Sequence, residues 1–394
     1  AAMSLLAALA RLCPAPGAGE PPGCDLTLLA DAGARIRCHG ALLRARCPAL
    51  PQPDESGAIE ARQEEADAVY ALLRWVYCEA VDKGLSDMSA DKAQRTCAAV
   101  VRLAHDWGLR DAGPLQQRLA ASKHVRRQCR GTLVADVLRA YDAGELEGGA
   151  TLFVAATPAD GRLLEEPEAL AGGWRALLCE RSAYFGAMFC GTWAESSGQA
   201  VRVRWDREQL RRLLRFLHGA PFVEGHGDLS AAVECAEFFG VPDLLESTAD
   251  WIAANLQPAT APHLWTFLDG LRDGGAQAPD ALADADEACF RYHVAHFEEI
   301  CGGPAEEGED PPIAAIHALS VRLFQRLLAS GLVDAPTASL LGTVGAFAKR
   351  KAASGEADAR ALCRSLRPPA VLFNRECRSR LLPTATELSA RSFV

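Results

Sequence analysis

A chain of 394 residues has room for two or three domains, each large enough to bury its own core. Hydrophobic residues at 49% and charged residues at 23% exclude wholesale disorder, and a net charge of −10 argues against a nucleic-acid groove, which needs a concentrated positive field. No stretch approaches the ~20 apolar residues of a membrane span.

In chain order, the run "SLLAALARLC" is a short apolar helix over 5–12 with Ser4 in place to cap it. "DLTLLADAGARIRC" reads as strand, Asp-Ala-Gly turn and strand, and "AIEA" supplies a third short strand. Val69, Leu72, Leu73 and Val76 then follow the i, i+3, i+4, i+7 rule of a helix with one apolar face. "TLFVAATPADGRLL" repeats the hairpin signal with Asp160-Gly161 at its turn, followed by "EEPEALAGG", which reads as an insertion. Ser182 is placed to cap a two-turn helix from Ala183 to Cys190, stopped by Gly191. In "VRVRW", Val201, Val203 and Trp205 alternate inward, and Asp206 with Gln209 forms a capping box for the next helix. Beyond residue 250 strand signals vanish, and helical periods alternate with Gly/Pro/acidic loops such as "GGPAEEGEDPP".

The chain carries an internal repeat. "AVYALLRWVY" aligns with "QLRRLLRFLH" at an offset of 141, "VVRLAHDWGLRD" with "AVECAEFFGVPD" at 132, and "RCPAL" with "RSAYF" at 135. The drift follows from six extra residues after Phe185 in the second copy and a loop nine residues longer after Val76 in the first. The fold class is therefore α+β: two small sheets capped by helices, then an all-helical region. The boundaries fall at 1–122 for the first copy, 123–148 for a linker, 149–256 for the second copy and 257–394 for the helical tail.

The order "CDLTLL…GARIRCHGALLRARCPAL", "LLRWVY", "LAHDWGLRD", met again in "ALLCERSAYFGAMFCGTWAES…VRV…LLRFLHG…CAEFFGVPDLLE", resembles the BTB/POZ domain, with a BACK-like tail. That resemblance implies a non-enzymatic adaptor. The family's strand Asp and helix-head His match Asp25 and His39, a structural polar pair at the strand–helix corner; Thr151 and Trp174 stand there in the second copy. BTB domains that recruit the cullin-3 ubiquitin-ligase scaffold carry an apolar-X-Glu motif, which Trp193-Ala194-Glu195 fits. Phe185, Met188, Phe189, Trp193 and Glu195 are then the expected protein-binding residues. The first copy has prolines at 48, 51 and 53 in place of this helix, so docking belongs to the second. The family pairs through its N-terminal helix, which points to self-association through Ser4–Leu12. Tandem members of the family also suggest an alternative role, as scaffolds in clathrin-adaptor-linked vesicle trafficking.

No cofactor is called for: there is no phosphate-binding glycine loop after a strand, no GxSxG elbow and no HExxH. Cys289, His293 and His296 share one helix face with Cys301 beyond, but nothing marks the return turn that zinc would need, so no metal is assigned. The 14 cysteines are scattered without a CxxC, as free thiols of a reducing compartment, and the chain reads as cytoplasmic or nuclear.

Overall fold

The computed structural model describes residues 2–61, 65–81, 85, 88–120, 132–146, 149–154, 168–190, 200–273, 282–301, 315–335 and 337–355. It is mixed α+β and mostly helical, and divides into one compact unit over 1–244 and a second over 245–394.

The first unit opens with α1 (Ala2–Arg11), followed by β1 (Leu26–Leu29), a single 3-10 turn at Asp31–Gly33 and β2 (Arg35–Cys38). There follow α2 (Gly40–Arg46), β3 (Ala58–Glu60), α3 (Ala66–Cys78), α4 (Ala90–Asp106), α5 (Ala112–Ala120) and α6 (Leu133–Asp142). Its sheet has order β2-β1-β3: β1 runs antiparallel to β2, with Leu28 opposite Ile36, and parallel to β3, with Leu28 opposite Ile59. The second sheet repeats that plan. β4 (Gly149–Val154) is central, antiparallel to β5 (Glu168–Trp174) and parallel to β6 (Ala200–Val203). Between β5 and β6 lie α7 (Arg175–Arg181) and α8 (Ala183–Cys190); α9 (Arg207–Leu217), α10 (Leu229–Phe239) and α11 (Pro242–Ala254) come after β6.

The two modules share more than strand order. In the first, the fully buried Arg46 donates to the Trp75 and Val76 carbonyls at the end of α3, both at 2.9 Å, and pairs with the buried Asp111. In the second, Arg181 donates to the Phe216 and Leu217 carbonyls at the end of α9, at 2.9 and 2.6 Å, and pairs with Asp243 at 2.5 Å. Arg46 and Arg181 are related by the offset 135, the carbonyls by 141 and the carboxylates by 132. Each offset read along the chain thus places one corner of the same three-part network. A second bond repeats likewise. The amide of His39, heading α2, donates to the Tyr77 hydroxyl at 2.8 Å, and the amide of Trp174, heading α7, donates to His218 Nε2 at 3.2 Å.

The predicted helix faces are in place: Val69, Leu72, Leu73 and Val76, and Leu210, Leu213, Leu214 and Leu217, are all fully buried. Asp206 accepts from the Gln209 amide at 2.8 Å and caps α9. Residues 47–57 of the first module form no helix, as the prolines require.

Three expectations change. "EALAGG" belongs to strand β5 and is no mere insertion; a bulge between Ala150 and Thr151 fits it to β4, and Gly173 takes φ +80° where a Cβ would lie 2.5 Å from the His218 ring. The Asp160-Gly161 turn lies outside the described residues. The stretch read as a linker, 123–148, holds α6, whose Leu133, Val137 and Ala140 are fully buried in the core. Asp25 and His39 both brace the corner but do not pair with each other. Asp25 accepts from the Gly40 amide at 2.6 Å, while the His39 ring bonds the Tyr77 hydroxyl at 2.8 Å and the Pro22 carbonyl at 2.9 Å. The Asp25 bond satisfies an amide at the start of α2 that the helix itself leaves open, while the ring bonds hold His39 in place.

The modules meet inside the first unit. The apolar face of α1, Leu5, Ala8, Leu9 and Leu12, is buried to 1% exposure or less, packed on α3 of the first module and α7 of the second. Leu5 reaches Gly219 after α9, where φ is +108° and a Cβ would stand 2.9 Å from the leucine methyl. The His39 ring meets Trp174 edge-on at 5.0 Å, and Tyr141 of α6 stacks on His218 at 4.2 Å.

His218 is fully buried, with Nδ1 donating to the Leu214 carbonyl at 2.7 Å and Nε2 accepting from Trp174, so the ring must stay neutral. Burial lowers its pKa from 6.5 to about 4. The unfolded chain therefore binds an extra proton between those values: the stabilisation is complete above pH 6.5 and is lost as pH falls towards 4. The loss amounts to roughly 3 kcal/mol. Urea titrations across that window should show a shallower pH slope for His218→Gln than for the wild type, and an equal slope would contradict this role.

The second unit contains α12 (Ala261–Asp273), α13 (Ala283–Ala295), α14 (Phe297–Ile300), α15 (Val321–Ala329) and α16 (Thr337–Ala353), with no strand among the described residues. Trp265 is fully buried at its centre and donates to Asp286 at 2.8 Å; Arg326 pairs with the same carboxylate at 2.7 Å. Cys289, His293, His296 and Cys301 do not converge. His293 bonds the Cys289 carbonyl, whereas His296 faces Glu299 and stacks on Tyr292. Among the described residues no helix is long and apolar enough to cross a membrane.

Candidate functional site

The second module presents its most unusual chemistry at the corner where α7 turns into α8. Ser182 makes that corner: its hydroxyl accepts from the Phe185 amide at 3.2 Å and donates to the Phe239 carbonyl at 2.6 Å, tying α8 to the end of α10. Gly240, at φ +59°, lets that end come close, since a Cβ there would lie 2.7 Å from Ala183 Cβ.

Of the residues expected to face a partner, Phe185 and Phe189 are core. They are 0% and 3% exposed, stack on each other at 6.0 Å, and Phe185 packs on Phe239 at 5.6 Å. Arg175 closes the other side, lying over the Phe189 ring at 4.8 Å and donating to its carbonyl at 2.6 Å. These two phenylalanines therefore leave the docking set. Met188 is half-buried on α8, and Trp193 and Glu195 lie outside the described residues.

A different aromatic group faces outward. Phe238, on α10, is 49% exposed, the large hydrophobic side chain that stands most open among the described residues. Half-buried Trp205 lies 4.5 Å from it and half-buried Tyr184 5.5 Å, so three rings form a ledge beside α8. The exposed Glu234 and Glu237 of the same helix flank it. Exposed aromatic clusters of this kind mark interaction sites, because removing such rings from water on docking yields a large apolar gain. The sequence holds the clue: at offset 132 Phe238 falls on the exposed Asp106, and at offset 135 Tyr184 falls on the exposed Ala49. The first module is polar or small where the second is aromatic.

Arg181 and Ser182 serve the fold at this corner: Arg181 bridges the end of α9 to Asp243, and Ser182 caps α8.

Comparison with known proteins agrees with this architecture in part. Residues 174–256 match the BTB/POZ domain, a family of modules that generally serve protein–protein interaction. The chain is also similar to the BTB/POZ domain-containing protein FBL11 of Arabidopsis thaliana, at 25% identity over 133 residues. That likeness covers 31% of this chain and 13% of the relative's length.

Proposed function

We propose that the chain is a non-enzymatic adaptor built from two BTB-like modules, of which the second docks a partner on the ledge of Tyr184, Trp205 and Phe238. The repeated strand order, the Arg46/Arg181 networks and the matched bonds at His39 and Trp174 support reading residues 25–120 as a divergent copy of the domain. The helices after residue 256 are then a BACK-like region that positions a second partner. The adaptor does no chemistry; it holds two proteins close, and proximity supplies the effect.

The observation that carries the docking reading is the half-exposed Phe238 ring, in tilted contact with Trp205 and Tyr184 on the BTB domain itself. The favoured occupant is a helix of the cullin-3 scaffold, because Trp193-Ala194-Glu195 follows α8 directly and fits the recruiting motif. A vesicle-trafficking scaffold is the second reading, and it draws on family likeness alone.

Self-association is also met inside the chain on this account. The apolar face of α1 that would pair two subunits is already buried between the two modules.

Calorimetric titration of the full chain with the cullin-3 N-terminal region tests the docking reading. Phe238→Ala, Trp193→Ala and Glu195→Lys are each expected to weaken binding at least ~tenfold, about 1.4 kcal/mol. Absence of binding by the wild type removes cullin-3 as the partner, and an unchanged affinity in Phe238→Ala removes the ledge.

A further inference from the structure

We propose that Cys179 and Cys190 form a peroxide-responsive dithiol that closes to a disulfide across the α7–α8 corner. Cys179 lies on α7 and Cys190 is the last residue of α8, and their sulfurs stand 3.7 Å apart. Both line a cavity of about 570 Å³ at the seam of the two modules, shared with Pro22, Gly23, Asp25 and Arg175. A small oxidant can therefore reach the pair.

The two thiols are unlike in ways that suit them to successive steps. Among the described cysteines Cys190 is the exposed one; the rest are half-buried or buried. Cys179 is half-buried, and burial, followed by the hydrogen bond with Cys190, pushes its thiol up to about 12. The exposed Cys190 sulfur is therefore the one that meets the oxidant first.

The chemistry balances with hydrogen peroxide as the two-electron oxidant. The Cys190 sulfur attacks one peroxide oxygen, the O–O bond breaks, and Cys190–SH plus H2O2 become Cys190–SOH plus water. The Cys179 sulfur then attacks the Cys190 sulfur, the S–O bond breaks, and the hydroxyl leaves with the Cys179 proton as a second water. Two thiols are oxidised to one disulfide and one peroxide is reduced. The sulfurs must close from 3.7 Å to the ~2.05 Å of an S–S bond.

Cys13 and Cys78 provide an internal contrast. They also share a thiol hydrogen bond, but both are half-buried and neither lines the cavity. Proximity alone predicts that both pairs react; access predicts the Cys179–Cys190 pair. The bond would also hold the corner that carries Tyr184. That consequence rests on the docking proposal, whereas bond formation needs no partner, so the two can fail separately.

Peptide mapping provides the test. The reduced full chain is treated with hydrogen peroxide, blocked with a maleimide and digested with trypsin without reduction. Cleavage after Arg175, Arg181 and Arg202 puts Cys179 in peptide 176–181 and Cys190 in peptide 182–202. The expected main product is these two peptides joined, two hydrogen atoms lighter than their sum. It should be absent from Cys179→Ser and Cys190→Ser and retained in Cys78→Ser. Cys190 carried to sulfinic acid with Cys179 still blocked by maleimide would overturn the proposal. So would a main link from Cys190 to any other cysteine, within the chain or between chains.

Discussion

Arg46→Met is expected to cost about 3–5 kcal/mol of folding stability. The guanidinium is fully buried, and removing it leaves Asp111, itself 1% exposed, as an uncompensated carboxylate inside the first module. The Trp75 and Val76 carbonyls at the end of α3 lose their donor as well. Part of the cost is the unpaired Asp111, so Arg46→Met combined with Asp111→Leu should recover part of the loss, while the two carbonyls and Asp136 still go without the guanidinium. Urea denaturation of the three variants checks this. A single variant within ~1 kcal/mol of wild type, or a double variant no better than the single, would show that the network is not what ties α2 to α3. Arg181→Met should behave likewise through Asp243, by a smaller amount because that carboxylate is 17% exposed.

The second large effect is expected at α1. Leu9 is fully buried between the modules, and Leu9→Ala should cost about 2–5 kcal/mol through lost apolar transfer and the cavity left behind. The same helix carries an ion pair, Arg11 with Glu180, whose arginine is 59% exposed. Water screens that pair, so Arg11→Ala should cost less than ~1 kcal/mol. The contrast separates two ways of holding α1. Denaturation curves in which Arg11→Ala is the more damaging variant would mean that charge rather than apolar packing anchors the helix.

Much of the architecture was legible because it rests on period and repetition. The stripes Val69–Val76 and Leu210–Leu217 fix two helices and their inner faces. The three alignment offsets each land on one part of the arginine network, which is a stronger agreement than shared hydrophobicity. Strand β5 was not legible. "EALAGGW" has no β-branched residue, and its conformation is imposed by pairing with β4 and by the closeness of Gly173 to His218. Helix α6 carried a usable signal, Leu133, Val137 and Ala140 at i, i+4, i+7, hidden by its place between two better-marked modules.

The site was half legible for a related reason. Spacing puts Phe185 and Phe189 on one face of α8 but does not say which side of the module that face meets. Phe239, 54 positions beyond Phe185, decides it by covering them. Phe238 escaped notice because adjacent phenylalanines suggest a core. On a helix neighbours point about 100° apart, so one of the pair had to leave the buried stripe. Comparison of the copies at Asp106 would have revealed which one.

The account depends most on α1 being occupied within its own chain, so that the ledge is the surface left for partners. Light scattering of the purified 394-residue chain at micromolar concentration measures this directly. The predicted mass is that of a monomer, 42.0 kDa. A species of twice that mass that disperses when Leu9 is replaced by alanine would contradict it.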